Sequence, residues 1–260
     1  MTKTEERVLQ GRFSWRLAWR LPLLMVHLFI GTPLTLMTFL PGVRNLDTGS
    51  MRLHQRTQLL WSRIMLRIFG IRLQVRGRLP DGACLVVANH ISWMDIVLIH
   101  AFWPVWLVAK AEIRNWPVIG RLATLAGTLY IKRGSEASRR RVNRRMGALL
   151  KRGERVGIFP EGGISPEPGV KRFHARLLAS AIRADVPVVP VAIRYWRDGD
   201  IYSIMLFGPG ENFFMNLLRL LSQPPCYGQL MVGSPLLDDD RGRSGLAQRS
   251  YEVVKSFYES

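Results

Sequence analysis

The sequence predicts an α/β fold, in which a mixed, largely parallel sheet is flanked by helices. Short continuous apolar runs at 83–88 and 186–193 have the length of buried strands. Longer amphipathic stretches, such as 136–152, alternate with these runs, as expected for strands that are joined by helices. The first 70 residues differ, because they carry a long uncharged stretch. We therefore divide the chain into N-terminal membrane-associating helices over 1–70 and an α/β domain over 71–260.

The N-terminal part contains twenty residues without a formal charge, from Leu21 to Leu40. A helix of that length would be about 30 Å long, which matches the apolar core of a bilayer. The segment lacks the small-residue pattern of a signal-peptide cleavage site. Pro22 and Pro33 interrupt the segment and arginines flank it on both sides, so a simple spanning helix would have no defined orientation.

The next segment, over 52–69, has the pattern of an amphipathic helix. Its arginines at 52, 56, 63 and 67 fall within an arc of roughly 60° when wound at about 100° per residue. The opposite, apolar side could pack on the α/β domain, or it could lie in a membrane interface with the arginines toward lipid phosphates. Because this helix follows the apolar segment, we favour a two-helix membrane-docking hairpin with both ends in the cytoplasm.

Strand and helix patterns alternate along the rest of the chain. Strands are predicted at 71–76, 83–88, 105–109, 128–131, 156–159, 186–193 and 201–207, and helices from Ser92, over 116–125, near 136–152 and near 171–184. Sheets of this kind bind ligands where strands end and helices begin. The loops after the strands are therefore the places to look for a site.

Charge and cysteine content narrow the classes of function. The net charge of +18, from 37 Lys and Arg against 19 Asp and Glu, predicts attraction to a polyanion, either nucleic acid or an anionic membrane surface. The arginines at 139–145 do not separate these two partners and could form a solvated helix face. The two cysteines are too few for a disulfide framework or a cysteine-based zinc site. No histidine has a partner at metal-ligand spacing, so we expect no metal.

The segment Asn89-His90-Ile91-Ser92-Trp93-Met94-Asp95 directly follows a predicted buried strand. Ser92 with an acid three residues later fits a helix-capping box, which would place His90 outside the helix and Asp95 in its first turn. Asp95 could then accept the Nδ1 proton of His90 and leave Nε2 free as a general base. Alternatively, Asp95 only caps its helix and His90 is an ordinary loop residue.

Three further segments lie at predicted strand ends in a fixed order. They are Gly127-Thr128-Leu129-Tyr130-Ile131-Lys132-Arg133, Phe159-Pro160-Glu161-Gly162-Gly163, and Val186-Pro187-Val188-Val189-Pro190. Together with His90 and Asp95, they resemble the four motif blocks of the glycerolipid acyltransferase family, which includes the 1-acylglycerol-3-phosphate acyltransferases. The resemblance runs from about Val75 to Phe207, and a membrane-bound N-terminal hairpin is also what it implies.

This resemblance implies a direct acyl transfer. His90 would take the proton from an acceptor hydroxyl while Asp95 orients the imidazole, and the alkoxide would attack the thioester of acyl-CoA or acyl carrier protein. The thiol then leaves, and no metal, cofactor or covalent enzyme intermediate is needed. The sequence also shows no cysteine placed as a nucleophile.

The resemblance also assigns substrate-binding residues. Arg133 matches the basic residue for the acceptor phosphate, and Lys110 is a second cation near a strand end. Surface salt bridging is the alternative role for both cations. Glu161 matches the acid of the third block and would bond to acceptor hydroxyls or to loop backbone. Gly162 and Gly163 would let the backbone approach the substrate closely.

Two segments depart from the pattern of members that use a phosphate acceptor. The third block reads Gly162-Gly163-Ile164-Ser165 where Gly-Thr-Arg-Ser is usual, which removes one phosphate contact. Arg172-Phe173-His174-Ala175-Arg176 replaces a phenylalanine-lysine-x-glycine pattern, and Arg172 or Arg176 could compensate. The same departures would suit an enzyme that acylates lyso-ornithine lipid or another lysolipid.

The leading functional hypothesis is acylation of 1-acylglycerol-3-phosphate to phosphatidic acid in phospholipid biosynthesis. We expect a lysolipid acceptor, an acyl-CoA or acyl carrier protein donor and an anionic membrane surface as partners. The expected location is the cytoplasmic face of the inner membrane, whether the N-terminus spans the membrane, re-enters it or lies on it. Acylation of another lysolipid such as lyso-ornithine lipid is the alternative enzyme, and a basic membrane- or nucleic-acid-binding domain is the non-enzyme alternative. With the acyltransferase hypothesis, no nucleic-acid partner is expected.

Overall fold

A computed structural model describes residues 14–49, 51–115, 120, 123–124, 127–164 and 167–260. Most of the helix predicted over 116–125 therefore lies outside the described residues, as do Ser165 and the first thirteen residues of the N-terminal part.

A single sheet organises the described residues. Its strands are β1 Ile71–Arg76, β2 Leu85–Ala88, β3 Trp106–Lys110, β4 Leu129–Ile131, β5 Val156–Ile158, β6 Val188–Arg197, β7 Asp200–Ile201 and β8 Cys226–Val232. The order is β1-β8-β6-β2-β5-β3-β4, with β7 paired to β6. All pairs are parallel except β6 with β8 and β6 with β7. The predicted mixed, largely parallel sheet is confirmed.

Helices cover both faces of this sheet. They are α1 Trp15–Val26, α2 Thr32–Met37, α3 Leu53–Ile68, α4 Met94–His100, α5 Glu136–Lys151, α6 Ala179–Ala184, α7 Phe213–Ser222 and α8 Gly242–Glu259. Because successive strand residues point to opposite faces, Val86 and Ala88 of β2 join a core with α1, α3, α4 and α7. Leu85 and Val87 join a second core with α5, α6 and α8.

Two sequence-based assignments were wrong. Of the strand predicted at 201–207, only Ile201 pairs, as part of β7, and the chain then forms the 3₁₀ turn Ser203–Met205. The helix predicted near 171–184 is reduced to the 3₁₀ turn Ala175–Leu177 and the short α6. Buried apolar residues of the two segments, such as Leu178 and Met205, lie in or beside 3₁₀ turns, and periodicity does not distinguish a short buried turn from a strand or helix. The prediction also omitted β8, α7 and α8.

The N-terminal helices form one layer on the first core. Helices α1 and α2, with the π-helical turn His27–Gly31 between them, make a helical segment over Trp15–Met37 that is long and apolar enough to cross a membrane. Helix α3 packs on α1 and α2. Its apolar side chains Met65, Leu66 and Ile68 are buried against the domain, whereas its three arginines and Arg52, which directly precedes the helix, are exposed. Most of the exposed apolar side chains of this layer lie on α1, on α2 and on the turn between them, where Phe29 is 76% exposed, and α3 exposes Leu60 and Ile64 as well.

Arg20 attaches α1 to the domain. Its side chain is 2% exposed, and Nη1 donates to the carbonyl oxygens of Leu221 at 3.0 Å and Gln223 at 2.7 Å. These carbonyls lie at the C-terminal end of α7, where a cation also interacts favourably with the helix dipole. Gly70, at φ 74°, leaves the space for this guanidinium, because a Cβ there would lie 2.4 Å from Nη2.

Candidate active site

The site begins where β2 ends. Asn89, the residue after β2, is fully buried and pairs with the backbone of β6. Its Nδ2 donates to the Ile193 carbonyl at 2.9 Å, and its Oδ1 accepts from the Ile193 N–H at 2.7 Å. This pair of bonds fixes the start of the loop that carries His90.

His90 and Asp95 meet across the start of α4. His90 Nδ1 lies 2.9 Å from Asp95 Oδ2, and the Asp95 side chain is fully buried. The same oxygen accepts the backbone N–H groups of Ile91 at 2.7 Å and Ser92 at 2.9 Å. A carboxylate can only accept, so Nδ1 carries the proton and Nε2 is left as the basic atom.

The capping box is only half formed. Asp95 bonds back to the Ser92 N–H as expected, but α4 begins at Met94 with Trp93 as its N-cap residue. The Ser92 hydroxyl lies 3.4 Å from the Met94 nitrogen, at the limit of a hydrogen bond. Ser92 was therefore the wrong cap, since its Oγ does not reach the third residue on. The loop still turns so that His90 lies outside the helix.

Tyr195 supplies a further hydrogen bond to Asp95. Its hydroxyl, which comes from β6, donates to Asp95 Oδ1 at 2.8 Å. Complete burial, together with the neighbouring Asp95, raises the pKa of Tyr195 well above its usual value. The sequence offered no signal for this role, because Tyr195 reads as one more large residue of a buried strand.

Glu161 fixes the other side of the loop. Its Oε2 accepts the backbone N–H of His90 and its Oε1 accepts that of Lys171, both at 3.1 Å. Burial raises the pKa of Glu161 to about 7, although these two N–H bonds oppose the shift. Glu161 thus uses both oxygens on loop backbone, which was one of the two roles expected for it.

The imidazole of His90 is also held by stacking. The rings of His90 and Phe159 lie 4.1 Å apart at 14° to each other. Phe159 directly follows β5, so the sheet positions the ring that stacks on one face of the imidazole. Within the described residues Nε2 has no hydrogen-bond partner, and His90 lines a large cavity.

That cavity has a volume of about 1250 Å³. Its apolar wall comes from α1, α3, α4 and α7, for example Leu24, Trp61, Met65, Trp93 and Phe213. Its cations come from the ends of β3 and β4, the start of α5 and the segment over 171–176, and they are Lys110, Lys132, Arg133, Arg139, Lys171 and Arg176. The cavity therefore has an apolar wall and, beside it, a group of cations, and His90 also lines it. This combination suits a lipid that carries a polar head.

The other residues expected from the sequence also line the cavity. Lys110 and Arg133 are exposed, and neither has a salt-bridge partner among the described residues. Gly163 lets Arg133 approach the loop, because a Cβ at Gly163 would lie 2.8 Å from Arg133 Nη2. Gly162 has a φ of 80°, the left-handed region that favours glycine. Asp95 lies behind His90, and no described group of three or more His, Cys, Asp or Glu could hold a metal.

Comparison with known proteins identifies the family. Residues 71–194 match the family model described as Acyltransferase. The chain is 36% identical over 244 residues to the lyso-ornithine lipid O-acyltransferase of Pseudomonas aeruginosa, covering 94% of this chain and 92% of that protein. The chain belongs to the acyltransferase family. Its relatives include the 1-acyl-sn-glycerol-3-phosphate acyltransferase of Neisseria meningitidis, at 37% identity over 159 residues, or 60% of this chain and 62% of that protein.

A solved structure shows the same fold. The acyltransferase resembles the 1-acyl-sn-glycerophosphate acyltransferase PlsC of Thermotoga maritima with a TM-score of 0.67 at 23% identity. The similarity covers 98% of this chain and 96% of that chain, so the N-terminal helices belong to the shared fold.

Proposed function

We propose that this acyltransferase transfers a fatty acyl group from an acyl thioester to the free hydroxyl of a lysolipid, with lyso-ornithine lipid as its preferred acceptor. The chemistry rests on the His90–Asp95 pair, whose Nδ1–Oδ2 bond of 2.9 Å leaves Nε2 at the wall of a large, partly apolar cavity. A metal or cofactor has no part in the proposed reaction.

The proposed reaction has two proton transfers at one atom. The acceptor hydroxyl gives its proton to His90 Nε2 as its oxygen attacks the thioester carbonyl carbon. The tetrahedral adduct collapses, the C–S bond breaks, and the imidazolium returns the proton to the leaving thiolate. The products are an ester and a free thiol.

Asp95 stabilises the imidazolium that forms between these steps. Its two oxygens accept four donors in all: the His90 ring, the N–H groups of Ile91 and Ser92, and the Tyr195 hydroxyl. Because both oxygens are held by hydrogen bonds, the carboxylate cannot rotate away from the ring. The pair is therefore ordered before substrate binds.

Similarity along the whole chain supports lyso-ornithine lipid as the acceptor. The lyso-ornithine lipid O-acyltransferases of Pseudomonas aeruginosa and Brucella abortus match 94% and 91% of this chain. An ornithine head group has both a carboxylate and an ammonium, and the cavity is lined by Lys110, Arg133 and the carboxylate of Glu112. Ile164, which lines the same cavity, lacks the charge that a phosphate acceptor would use.

Lysophosphatidic acid is the second candidate acceptor, and its product would be phosphatidic acid. Arg133 and Lys110 favour it, because two cations without a salt-bridge partner among the described residues line the cavity of His90 and suit a phosphate. The 37% identity to the Neisseria meningitidis enzyme is a further support.

We also propose that α1 and α2 dock on the cytoplasmic face of the inner membrane. The large apolar side chains exposed on α1, on α2 and on the turn between them include Trp15, Leu23, Phe29, Ile30 and Leu34. Leu24 and Leu28 of the same helical segment line the cavity, so a lipid could pass from the membrane to His90 along this layer.

Purified protein in detergent or vesicles, supplied with palmitoyl-CoA and one acceptor at a time, tests these proposals. We expect kcat/KM for lyso-ornithine lipid to exceed that for lysophosphatidic acid, and Ile164→Arg to move the preference toward lysophosphatidic acid. Ile164→Leu is the matched control. Equal or greater turnover of lysophosphatidic acid by the unmodified protein would reject the acceptor, and full transferase activity of His90→Ala would reject the mechanism.

A further inference from the structure

Helix α5 carries a strongly basic exposed face. We define this basic face by its exposed cations Arg140, Arg141, Arg144, Arg145 and Lys151. The opposite side of the helix is buried through Val142, Met146, Leu149 and Leu150. The described salt bridges give the face a single acidic partner, Glu136, which pairs with Arg140.

The basic face and the exposed apolar helices lie on opposite sides of the sheet. The buried side of α5 packs with Leu85 and Val87 of β2 in the second core. Leu24 of α1 and the α3 side chains pack with Val86 and Ala88, which point the other way. A membrane that receives α1 and α2 therefore does not also cover α5, so lipid head groups do not explain its charge.

The N-terminal end of α5 lies at the catalytic cavity, next to the basic face. Ser135, the N-cap residue of α5, and Arg139 both line that cavity. Arg176, another lining cation, is fixed beside α5 because Asn143 Nδ2 donates to its backbone carbonyl at 3.2 Å. A ligand lying on the basic face would have its reactive end within reach of the same opening as His90.

We propose that the basic face docks an acidic carrier protein that presents the acyl group as a thioester on a flexible arm. This inference rests on the proposed acyl transfer and specifies the macromolecular donor. Carboxylates on the carrier would pair with the arginines of α5, which speeds encounter and sets the orientation. The arm would enter between Arg139 and Arg176, while the acceptor arrives from the membrane side along α1.

The test compares two donors with one acceptor. The variant Arg141→Glu/Arg145→Glu alters exposed residues with no described partner and leaves the Arg140–Glu136 pair in place. We expect KM for palmitoyl-acyl carrier protein to rise roughly tenfold or more, and KM and kcat for palmitoyl-CoA to change less than about twofold. In the unmodified protein, added salt should raise KM for the carrier donor.

A second charge reversal controls for net charge. Arg76→Glu/Arg78→Glu makes the same change near β1, at the far end of the sheet from β4 and β5, against which α5 packs. We expect it to leave KM for the carrier donor unchanged. If both double variants raised that KM equally, net charge and not the basic face would be responsible, and the proposal would fail.

Other outcomes are equally decisive. Transfer from palmitoyl-CoA but not from the carrier in the unmodified protein overturns this inference and leaves the proposed function intact, whereas transfer from neither donor overturns both. If the glutamate variant does not fold, Arg141→Gln/Arg145→Gln gives the same test with a smaller expected rise. Unchanged carrier kinetics, with loss of binding to a mixed-sequence RNA, would assign the face to nucleic acid instead.

Discussion

The hydroxyl of Tyr195 donates to Asp95 Oδ1 at 2.8 Å and so joins two residues that are 100 positions apart in the chain. Oδ2 already takes the His90 ring and two backbone N–H groups. Tyr195 is the one described side chain that bonds to Oδ1, and both residues are buried. We therefore regard Tyr195 as a positioning residue, which acts on His90 through Asp95.

Tyr195→Phe should lower kcat and leave KM for both substrates nearly unchanged. Removing the donor leaves a buried charged oxygen unsatisfied and free to rotate, which we expect to lower kcat roughly tenfold or more. Steady-state kinetics measure this. Tyr202→Phe removes a hydroxyl that donates to Gln223 Oε1 at 3.2 Å and is the matched control. Equal kcat for Tyr195→Phe and the unmodified protein would show that Oδ1 needs no donor.

Asp95→Asn should abolish most transfer while the fold is kept. The amide can still accept from the loop N–H groups, but it cannot stabilise the imidazolium by charge, and its NH₂ can select the wrong histidine tautomer. In a serine-protease triad the corresponding change costs about 10⁴-fold, and we expect a loss of roughly 10²-fold or more here. Single-turnover experiments measure the rate of acyl transfer, and circular dichroism of the same samples shows whether the variant is still folded. A low rate in a folded variant assigns the loss to the chemical step.

Glu161 should make stability depend on pH in the direction opposite to that of a salt-bridged acid. Burial raises its pKa to about 7 in the folded protein, against 4.5 when exposed. The folded state therefore binds the extra proton between these values, and the free energy of unfolding falls as pH rises from about 4.5 to 7.

Glu161→Gln should flatten this slope. We expect the stability difference between unmodified protein and variant to change by up to about 3 kcal/mol between pH 4 and pH 8, with the unmodified protein losing more. Denaturant titrations at several pH values measure it, with the exposed Glu252→Gln as control. A slope that is identical in Glu161→Gln would show that another group carries the dependence.

Gly163→Ala should act through Arg133. The new Cβ would lie 2.8 Å from Arg133 Nη2, so the guanidinium must move while the backbone, which does not have a positive φ, tolerates alanine. If Arg133 binds the acceptor head group, KM for the acceptor should rise several-fold with kcat little changed. In an Arg133→Ala background the same substitution should have no further effect on KM. If the two substitutions instead raised KM additively, Gly163→Ala would not act through Arg133.

Arg20→Met should destabilise the N-terminal layer. The substitution leaves the carbonyls of Leu221 and Gln223 without their donor in a buried site, which we expect to cost about 2–3 kcal/mol. Thermal unfolding gives the loss, and hydrogen exchange should show faster exchange in α1 and α7. Arg16→Met, at a more accessible position of the same helix, should cost less. Equal losses would mean that the carbonyl contacts of Arg20 contribute little.

The sequence by itself determined the features that depend on neighbours along the chain. Apolar runs at 83–88 and 186–193 predicted β2 and β6, and the spacing of His90 and Asp95 predicted that a helix starts between them. The amphipathic pattern at 136–152 predicted α5, which extends over Glu136–Lys151. Local steric and burial preferences produce these patterns, so they can be read without a fold.

Only the tertiary structure decided which distant residues meet. The insertion of β8 between β1 and β6, the bond from Glu161 to the His90 N–H across 71 positions, and the Tyr195–Asp95 bond all depend on strand order. The sequence also left open where the apolar side of α3 would lie, and the structure buries it against the domain. Strand order and helix placement follow from the summed packing of the whole core, which no local pattern of hydrophobic residues encodes.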